Sequence, residues 1–177
     1  EAEITLATSS TSPGTASPTS PPTTQPQIPT PSPEAHFPTF INDAHEDIAW
    51  NALEFDRDPR LSAYTVRNNE LGSEIPRLIG ERTTGLPEYL AGRVGIIFST
   101  IYVQPAQNAY AGHNRMVYST PGQAETHGWE QVDFYRQLTQ QEPHFRLITS
   151  LPDLDAVIAS WTQPQQEPVV GLVMVME

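Results

Sequence analysis

Val169-Val170-Gly171-Leu172-Val173-Met174-Val175-Met176-Glu177 is an apolar run that stops on a single carboxylate. A nearly continuous apolar run of this length is typical of a parallel β-strand that is buried on both faces. The stretch from Val94 to Val103 has the same character and is rich in β-branched residues. Thr39 to Asp47 precedes both of them and predicts a further strand. The sequence therefore predicts three strands, over residues 39–47, 94–103 and 169–177.

Helical patterns separate these strands. Leu86 to Gly92 predicts a short helix that ends at a glycine. Ala124 to Gln141 predicts a longer helix with an apolar face. The clearest pattern has apolar residues at i, i+3, i+4 and i+7, after a serine and an aspartate that resemble a capping box; these residues are Leu154, Val157, Ile158, Trp161, Ser150 and Asp153. Strands that alternate with helices predict an α/β fold with a parallel sheet.

The remaining segments are predicted to be loops and surface. The arginine- and acid-rich segment after the first strand reads as a loop with room for one helix, and residues 104–122 read as a polar loop. Asp56, Arg57 and Asp58 are interpreted as a solvated run of charges. Trp129 and Trp161 are interpreted as core residues on the inner faces of their helices.

The first 35 residues differ in composition from the rest of the chain. They contain 8 Pro and 14 Ser or Thr, and their only large aliphatic side chains are Ile4, Leu6 and Ile28. Such a segment cannot bury enough apolar surface to offset the entropy lost on ordering. We therefore expect residues 1–35 to be a disordered tail or linker and residues 36–177 to fold. A Pro/Ser/Thr-rich tail is typical of a stalk and favours an exported or cell-surface protein.

Overall composition excludes several classes of function. The net charge is −12 and all nine basic residues are arginine, an excess of carboxylates that argues against a nucleic-acid partner. No stretch approaches the roughly 20 apolar residues of a membrane-spanning helix. The chain contains no cysteine, so any metal ligands must be histidines and carboxylates.

Asp43-Ala44-His45-Glu46-Asp47 is the motif that points to chemistry. Side chains two apart on a strand project from the same face, so His45 and Asp47 would lie together, with Glu46 on the opposite face. Glu177 ends the last predicted strand, and the carboxyl ends of parallel strands meet at one edge of a sheet. One nitrogen and two oxygen ligands predict a metal site there. On these residues alone, incidental polar side chains at strand ends remain an open alternative.

Two other histidines are weaker candidates. His113 lies in the loop after the second predicted strand, and His127 lies near a helix start. Neither has a partner at metal-binding spacing, so we interpret both as structural or surface residues. Arg115, in the same loop as His113, could meet a substrate carboxylate, although an exposed arginine is commonplace.

Several stretches together resemble the renal, or membrane, dipeptidase family of zinc peptidases. Asp43 to Asp47 is similar to the His-x-Asp signature on the family's first barrel strand. Gly85 to Gly95 is similar to its helix and the glycine-rich start of its second strand. Gln131-Val132-Asp133 resembles part of the next helix, and Gly171 to Glu177 resembles the third strand. The likeness follows the element order over residues 39–177, while identity is confined to these short motifs.

The resemblance implies a (β/α)8 TIM barrel with two Zn²⁺ ions at the carboxyl ends of its strands. It implies that His45 and Asp47 bind one zinc and that Glu177, the catalytic carboxylate, bridges both. It implies hydrolysis of dipeptides, including those with a D-residue at the carboxyl end, by a hydroxide between the metals. Two further histidines would lie on later strands. Since residues 36–177 fall short of the roughly 250 residues of such a barrel, we expect an N-terminal portion that is inactive alone.

Two other functions stay open. One is a different metal-dependent amidohydrolase that uses His-x-Asp on its first strand and acts on cyclic amides or esters. The other is a non-catalytic, tethered surface domain, whose acidic face binds a partner and whose tail sets its reach.

Overall fold

A computed structural model of the chain describes residues 39–177. The disordered tail predicted for residues 1–35 lies outside them. The elements of the described part are β1 (Ile41–Glu46), α1 (Ile48–Phe55), α2 (Ala63–Asn69), α3 (Ile75–Ile79), α4 (Leu86–Ala91), β2 (Val94–Ile101), β3 (Gln104–Pro105), a 3-10 turn (Ala106–Asn108), β4 (Val117–Tyr118), α5 (Pro121–Gln141), β5 (Phe145–Leu147), α6 (Leu151–Thr162) and β6 (Val170–Met176). Among the helices of residues 39–177, none is long and apolar enough to span a membrane.

The core of the fold is a four-stranded parallel sheet with strand order β1-β2-β6-β5. The longest pairing joins β2 to β6, from Ile96 opposite Gly171 to Ile101 opposite Met176. Strands β3 and β4 form a separate two-stranded parallel sheet within the predicted loop 104–122. The predicted α/β class with a parallel sheet is confirmed, and the three predicted strands are neighbours in it.

Strand β5 makes the predicted count of three strands wrong. It consists of Phe145, Arg146 and Leu147 and pairs with β6 at the edge of the sheet. Three residues with a charged one in the middle show neither an apolar run nor a sustained alternation. Its strand conformation depends on the neighbouring β6, which a local pattern does not reveal.

Helices cover both faces of the sheet. Tyr135 of α5 packs with Ile97 and Leu172 on one face, together with residues of α1 and α4. Trp161 of α6 packs against Ile96 on the other face. Because crossovers between parallel strands are right-handed, this division follows from the strand order. The connection from β2 to β5 contains α5 and runs across the sheet past the position of β6. The connection from β5 to β6 contains α6 and runs in the opposite direction, so α6 lies on the face opposite α5.

The segment between β1 and α4 is more helical than the sequence predicted. It forms α1, α2 and α3 where a loop with room for one helix was expected. Arg57, expected to be solvated, is 4% exposed and forms a bidentate ion pair with Glu70, with Nε–Oε1 at 2.6 Å and Nη2–Oε2 at 2.9 Å. Its Nη2 also donates to the carbonyl of Gly80 at 2.7 Å. This buried pair connects the ends of all three helices, which no periodicity along the chain indicates.

The orientation of α5 was partly mispredicted. Trp129, expected in the core, is 56% exposed, whereas Trp161 is 7% exposed as expected. Gln131 and Tyr135 are the least exposed side chains of α5. Trp129 precedes Gln131 by two positions, which corresponds to a rotation of about 200° around a helix, so the two side chains lie on opposite sides of α5. A polar glutamine occupies the buried stripe where the apolar pattern placed a tryptophan.

A hydrogen-bonded cap begins α6. The amide of Asp153 donates to Oγ of Ser150, and the carboxylate of Asp153 accepts from the Ser150 hydroxyl at 2.7 Å and from the Thr149 hydroxyl at 3.0 Å. The Ser150 hydroxyl, followed by that of Thr149, lowers the pKa of Asp153 to about 2. The predicted cap is therefore present, and the hydroxyls of Ser150 and Thr149 donate the return bonds to the Asp153 carboxylate.

This cap predicts a stabilising contribution that acid removes. The pKa of Asp153 is lower in the folded chain than the value of about 4 expected when unfolded. The contribution of the cap to the free energy of unfolding is therefore complete at pH values above the pKa of the unfolded chain. It is lost as the pH falls through the pKa of the folded chain. We expect Asp153→Asn to remove this part of the pH dependence of the urea-unfolding midpoint. Asp155→Asn, a change on the same helix outside the cap, should leave it in place, and an NMR titration of Asp153 near pH 4 would contradict the prediction.

Candidate metal centre

An irregularity in β1 sets which residues face the carboxyl edge of the sheet. Asp43 pairs with Ile97 and Glu46 pairs with Ser99. From the first of these pairs to the second, β1 advances by three residues and β2 advances by two. Such a bulge re-aims the side chains that follow it. The carboxylate of Glu46 accepts a hydrogen bond from the hydroxyl of Thr84 at 3.1 Å. Burial raises the pKa of Glu46, and the side chain points away from those of its two neighbours.

The structure brings His45, Asp47 and Glu177 together. Nε2 of His45 lies 3.6 Å from Oδ1 of Asp47. One ligand atom from each of the three residues lies within 4.8 Å of the others. Glu177 directly follows β6, and its amide donates to the carbonyl of Ile101 at 3.3 Å, which continues the pairing with β2. The three side chains converge as the sequence analysis expected, while their role as metal ligands stays a prediction.

Asp47 has its carboxylate directed to the site and not to the helix that it precedes. It occupies the N-cap position of α1, where an aspartate usually accepts a bond from a helix amide. Here its side chain makes no such bond. Oδ1 instead accepts from the hydroxyl of Thr100, a residue of β2 that is 1% exposed. The carboxylate is thus held from β2, beside His45.

This donor set fits a zinc ion. An imidazole nitrogen with two carboxylate oxygens is a ligand combination that zinc accepts. Two ligands on a tetrahedral zinc, with bonds of about 2.0–2.2 Å, lie roughly 3.3–3.6 Å apart. The 3.6 Å between His45 and Asp47 is at that separation, while the 4.8 Å bound on the group with Glu177 is longer, so the Glu177 side chain would move towards the other two on binding. Asp47 and Glu177 also place two negative charges close together, and a cation between them would offset their repulsion.

One aromatic side chain, that of Tyr102, lies near the site. Tyr102 follows β2, and its ring meets Trp50 of α1 edge-on, with centroids 5.5 Å apart. Burial raises the pKa of Tyr102, and the carboxylates of Asp47 and Glu177 raise it further by their negative charge. Neither Tyr102 nor Thr100 was predicted from the sequence as a site residue. The available signal was the polar Ser99-Thr100 pair near the end of an otherwise apolar strand, since a buried strand has little reason to carry hydroxyl groups there.

The other predicted candidates lie elsewhere. His113 packs on the ring of Phe55, with centroids 4.9 Å apart. Nδ1 of His127 lies 2.8 Å from a carboxylate oxygen of Glu130, one turn along α5. Arg115 forms a bidentate ion pair with Asp56 at 2.9 and 2.7 Å. Within residues 39–177, neither histidine belongs to the group formed by His45, Asp47 and Glu177.

Comparison of the chain with protein-family models, with curated proteins and with solved structures found no match. The resemblance to zinc dipeptidases therefore rests on the short motifs quoted above. The case for a function depends on the geometry of the site.

Proposed function

We propose that this chain carries the first part of the metal centre of a zinc-dependent dipeptidase. The observation that carries the proposal is the convergence of His45, Asp47 and Glu177, which come from the ends of two parallel strands and lie within 4.8 Å of one another. The resemblance supplies the reaction. It also supplies the barrel, in which β1, β2 and β6 would be the first three strands. Strand β5 pairs with the outer edge of β6, and α6 covers the face opposite α5. Both would have to move for a fourth strand to pair with β6 and for a barrel interior to form, because the helices of a barrel all lie outside its strands.

Each of the three residues has a distinct part in this proposal. His45 binds through Nε2, the ring nitrogen that lies nearer to Asp47. Asp47 offers a carboxylate whose position is fixed by the hydroxyl of Thr100. Glu177 is exposed and has two oxygens, so it can engage two ions at once. Two zinc ions about 3.5–4 Å apart would supply a hydroxide at neutral pH and polarise the scissile carbonyl.

The surroundings of the site are suited to a small substrate. His45 is exposed to solvent, which leaves room for a small substrate beside it. Tyr102 is half-buried against Trp50 near the site. The ring of Tyr102 would exclude water from part of the bound substrate, which strengthens the electrostatic interactions in the site.

Metal binding is the first test of the proposal. The chain is dialysed against micromolar Zn²⁺, and bound zinc is measured by mass spectrometry. We expect about one zinc ion per chain, because three ligands suffice for one site. Calcium should compete poorly, because it prefers six to eight oxygen ligands and His45 offers a nitrogen. Failure to retain zinc would contradict the proposal.

Activity is the second test, and it uses the full gene product that contains this chain, because the resemblance assigns further ligands to later strands. We expect about two metals per molecule and hydrolysis of dipeptides. A panel with D-residues at the carboxyl end, cyclic amides and esters distinguishes a dipeptidase from another amidohydrolase. Zinc binding with no substrate cleaved would favour the non-catalytic surface domain.

A further inference from the structure

Helix α5 places two polar side chains in the core. Gln131 and Tyr135 are both 0% exposed and lie one helical turn apart. A buried polar group is costly unless it is hydrogen-bonded. Both side chains bond to backbone groups of other elements at the carboxyl end of the sheet, next to the proposed metal ligands.

Tyr135 connects the two structures that hold Asp47. Its hydroxyl donates to the carbonyl of Thr100 at 2.9 Å and accepts from the amide of Ala49 at 3.2 Å. Ala49 lies in the first turn of α1, two residues after Asp47. Thr100 is the residue whose hydroxyl contacts the Asp47 carboxylate. A single phenol thus fixes the helix start on one side of Asp47 relative to the strand on the other.

Gln131 holds the end of β2 in a similar way. Its Oε1 accepts from the amide of Tyr102 at 3.1 Å, and its Nε2 donates to the carbonyl of the same residue at 2.5 Å. Tyr102 immediately follows Ile101, whose carbonyl accepts from the amide of Glu177. The glutamine therefore fixes the backbone at the point where the last ligand pairs with β2.

We infer that Gln131 and Tyr135 are positioning residues of the metal centre. The inference rests on the proposed function and names the groups that hold its ligands in place. Tyr135 sets the junction of β1 and α1 against β2, and Gln131 sets the end of β2 beside Glu177. Ligands that are held in place before the ion binds bind it more tightly, and groups that orient ligands are worth about 10- to 100-fold in metal affinity.

Tyr135→Phe tests the first bridge, because it keeps the buried ring and removes only the hydroxyl. We expect the zinc affinity, measured by competition with a chromophoric chelator, to fall about 10- to 100-fold. The visible spectrum of the Co²⁺-loaded chain should also change, since it reports the geometry of the ligands. Gln131→Met tests the second bridge with a side chain of similar size, and the same two effects are expected.

Ser160→Ala is the matched control. Its hydroxyl donates to the carbonyl of Val157 at 2.7 Å and accepts from the amide of Val169 at 3.1 Å, and the residue is 5% exposed. This bridge of the same type lies before the amino end of β6, whereas the ligands lie at the carboxyl end. We expect Ser160→Ala to lower the urea-unfolding midpoint of the metal-free chain while leaving the zinc affinity and the Co²⁺ spectrum unchanged.

The outcomes separate the two proposals. If the unsubstituted chain binds zinc and both Tyr135→Phe and Gln131→Met behave like Ser160→Ala, the positioning role is wrong and the metal centre stands. If the unsubstituted chain binds no zinc, the metal centre is wrong, and the positioning role is wrong with it.

Discussion

Asp47→Asn is expected to lower the zinc affinity of the chain by more than about 100-fold, because even groups that only orient a ligand are worth about 10- to 100-fold. Asparagine has nearly the same shape and can still accept from the Thr100 hydroxyl, so the change removes chiefly the negative charge. The same loss is expected for Glu177→Gln. A competition titration with a chromophoric chelator measures both.

The stability of the metal-free chain should move in the other direction. Asp47 and Glu177 place two carboxylates near each other, and their repulsion is relieved when one becomes an amide. We therefore expect the urea-unfolding midpoint of metal-free Asp47→Asn to be unchanged or higher than that of the unsubstituted chain. Zinc at 100 times its dissociation constant should stabilise the unsubstituted chain by about 2.7 kcal/mol, and it should stabilise the variant much less.

Glu46→Gln provides the control. Glu46 is the carboxylate between His45 and Asp47 in sequence, but it bonds to Thr84 on the other side of β1. Its replacement should leave the zinc affinity unchanged. Equal losses of affinity in Glu46→Gln and Asp47→Asn would indicate a general effect of the acidic surface, and the three-residue site would then be wrong.

The elements that could be predicted are those with a local pattern of apolar or capping residues. Strands β2 and β6 are long apolar runs, and α6 has an apolar stripe and a capping serine, so each is visible within a window of about a dozen residues. Strand β5 and the helices before α4 lack such patterns. The ion pair of Arg57 and Glu70 joins residues just beyond the ends of two different helices, so their burial depends on the tertiary arrangement that it helps to create.

The site divides in the same way. His45 and Asp47 are two apart on one strand, and Glu177 ends another, so strand alternation and the common edge of parallel strands were enough to place them together. Thr100 and Tyr135 could not be found in this way, because their roles depend on which backbone and side-chain groups they face. The local signal was the polar Ser99-Thr100 pair near the end of the apolar strand β2.

Arg57→Met is expected to destabilise the metal-free chain by about 3–5 kcal/mol, the usual result of removing one partner from a buried ion pair. The variant leaves the carboxylate of Glu70, which is 6% exposed, without its bidentate partner. It also leaves the carbonyl of Gly80 without the bond from Nη2. Domains are stable by only about 5–15 kcal/mol, so a loss of this size would remove much of the stability.

Two further variants decide whether the buried charge is the cause. Arg77 pairs with Glu74 on the surface, where the two side chains are 72% and 70% exposed, so Arg77→Met should cost only about 0–1 kcal/mol. Arg57→Met combined with Glu70→Leu removes both charges and should recover most of the loss, since apolar pairs can replace buried ion pairs. Urea unfolding measures all three variants. If the combined variant is as unstable as Arg57→Met alone, the loss comes from packing around the guanidinium or from the lost bond to Gly80, and not from an unpaired carboxylate.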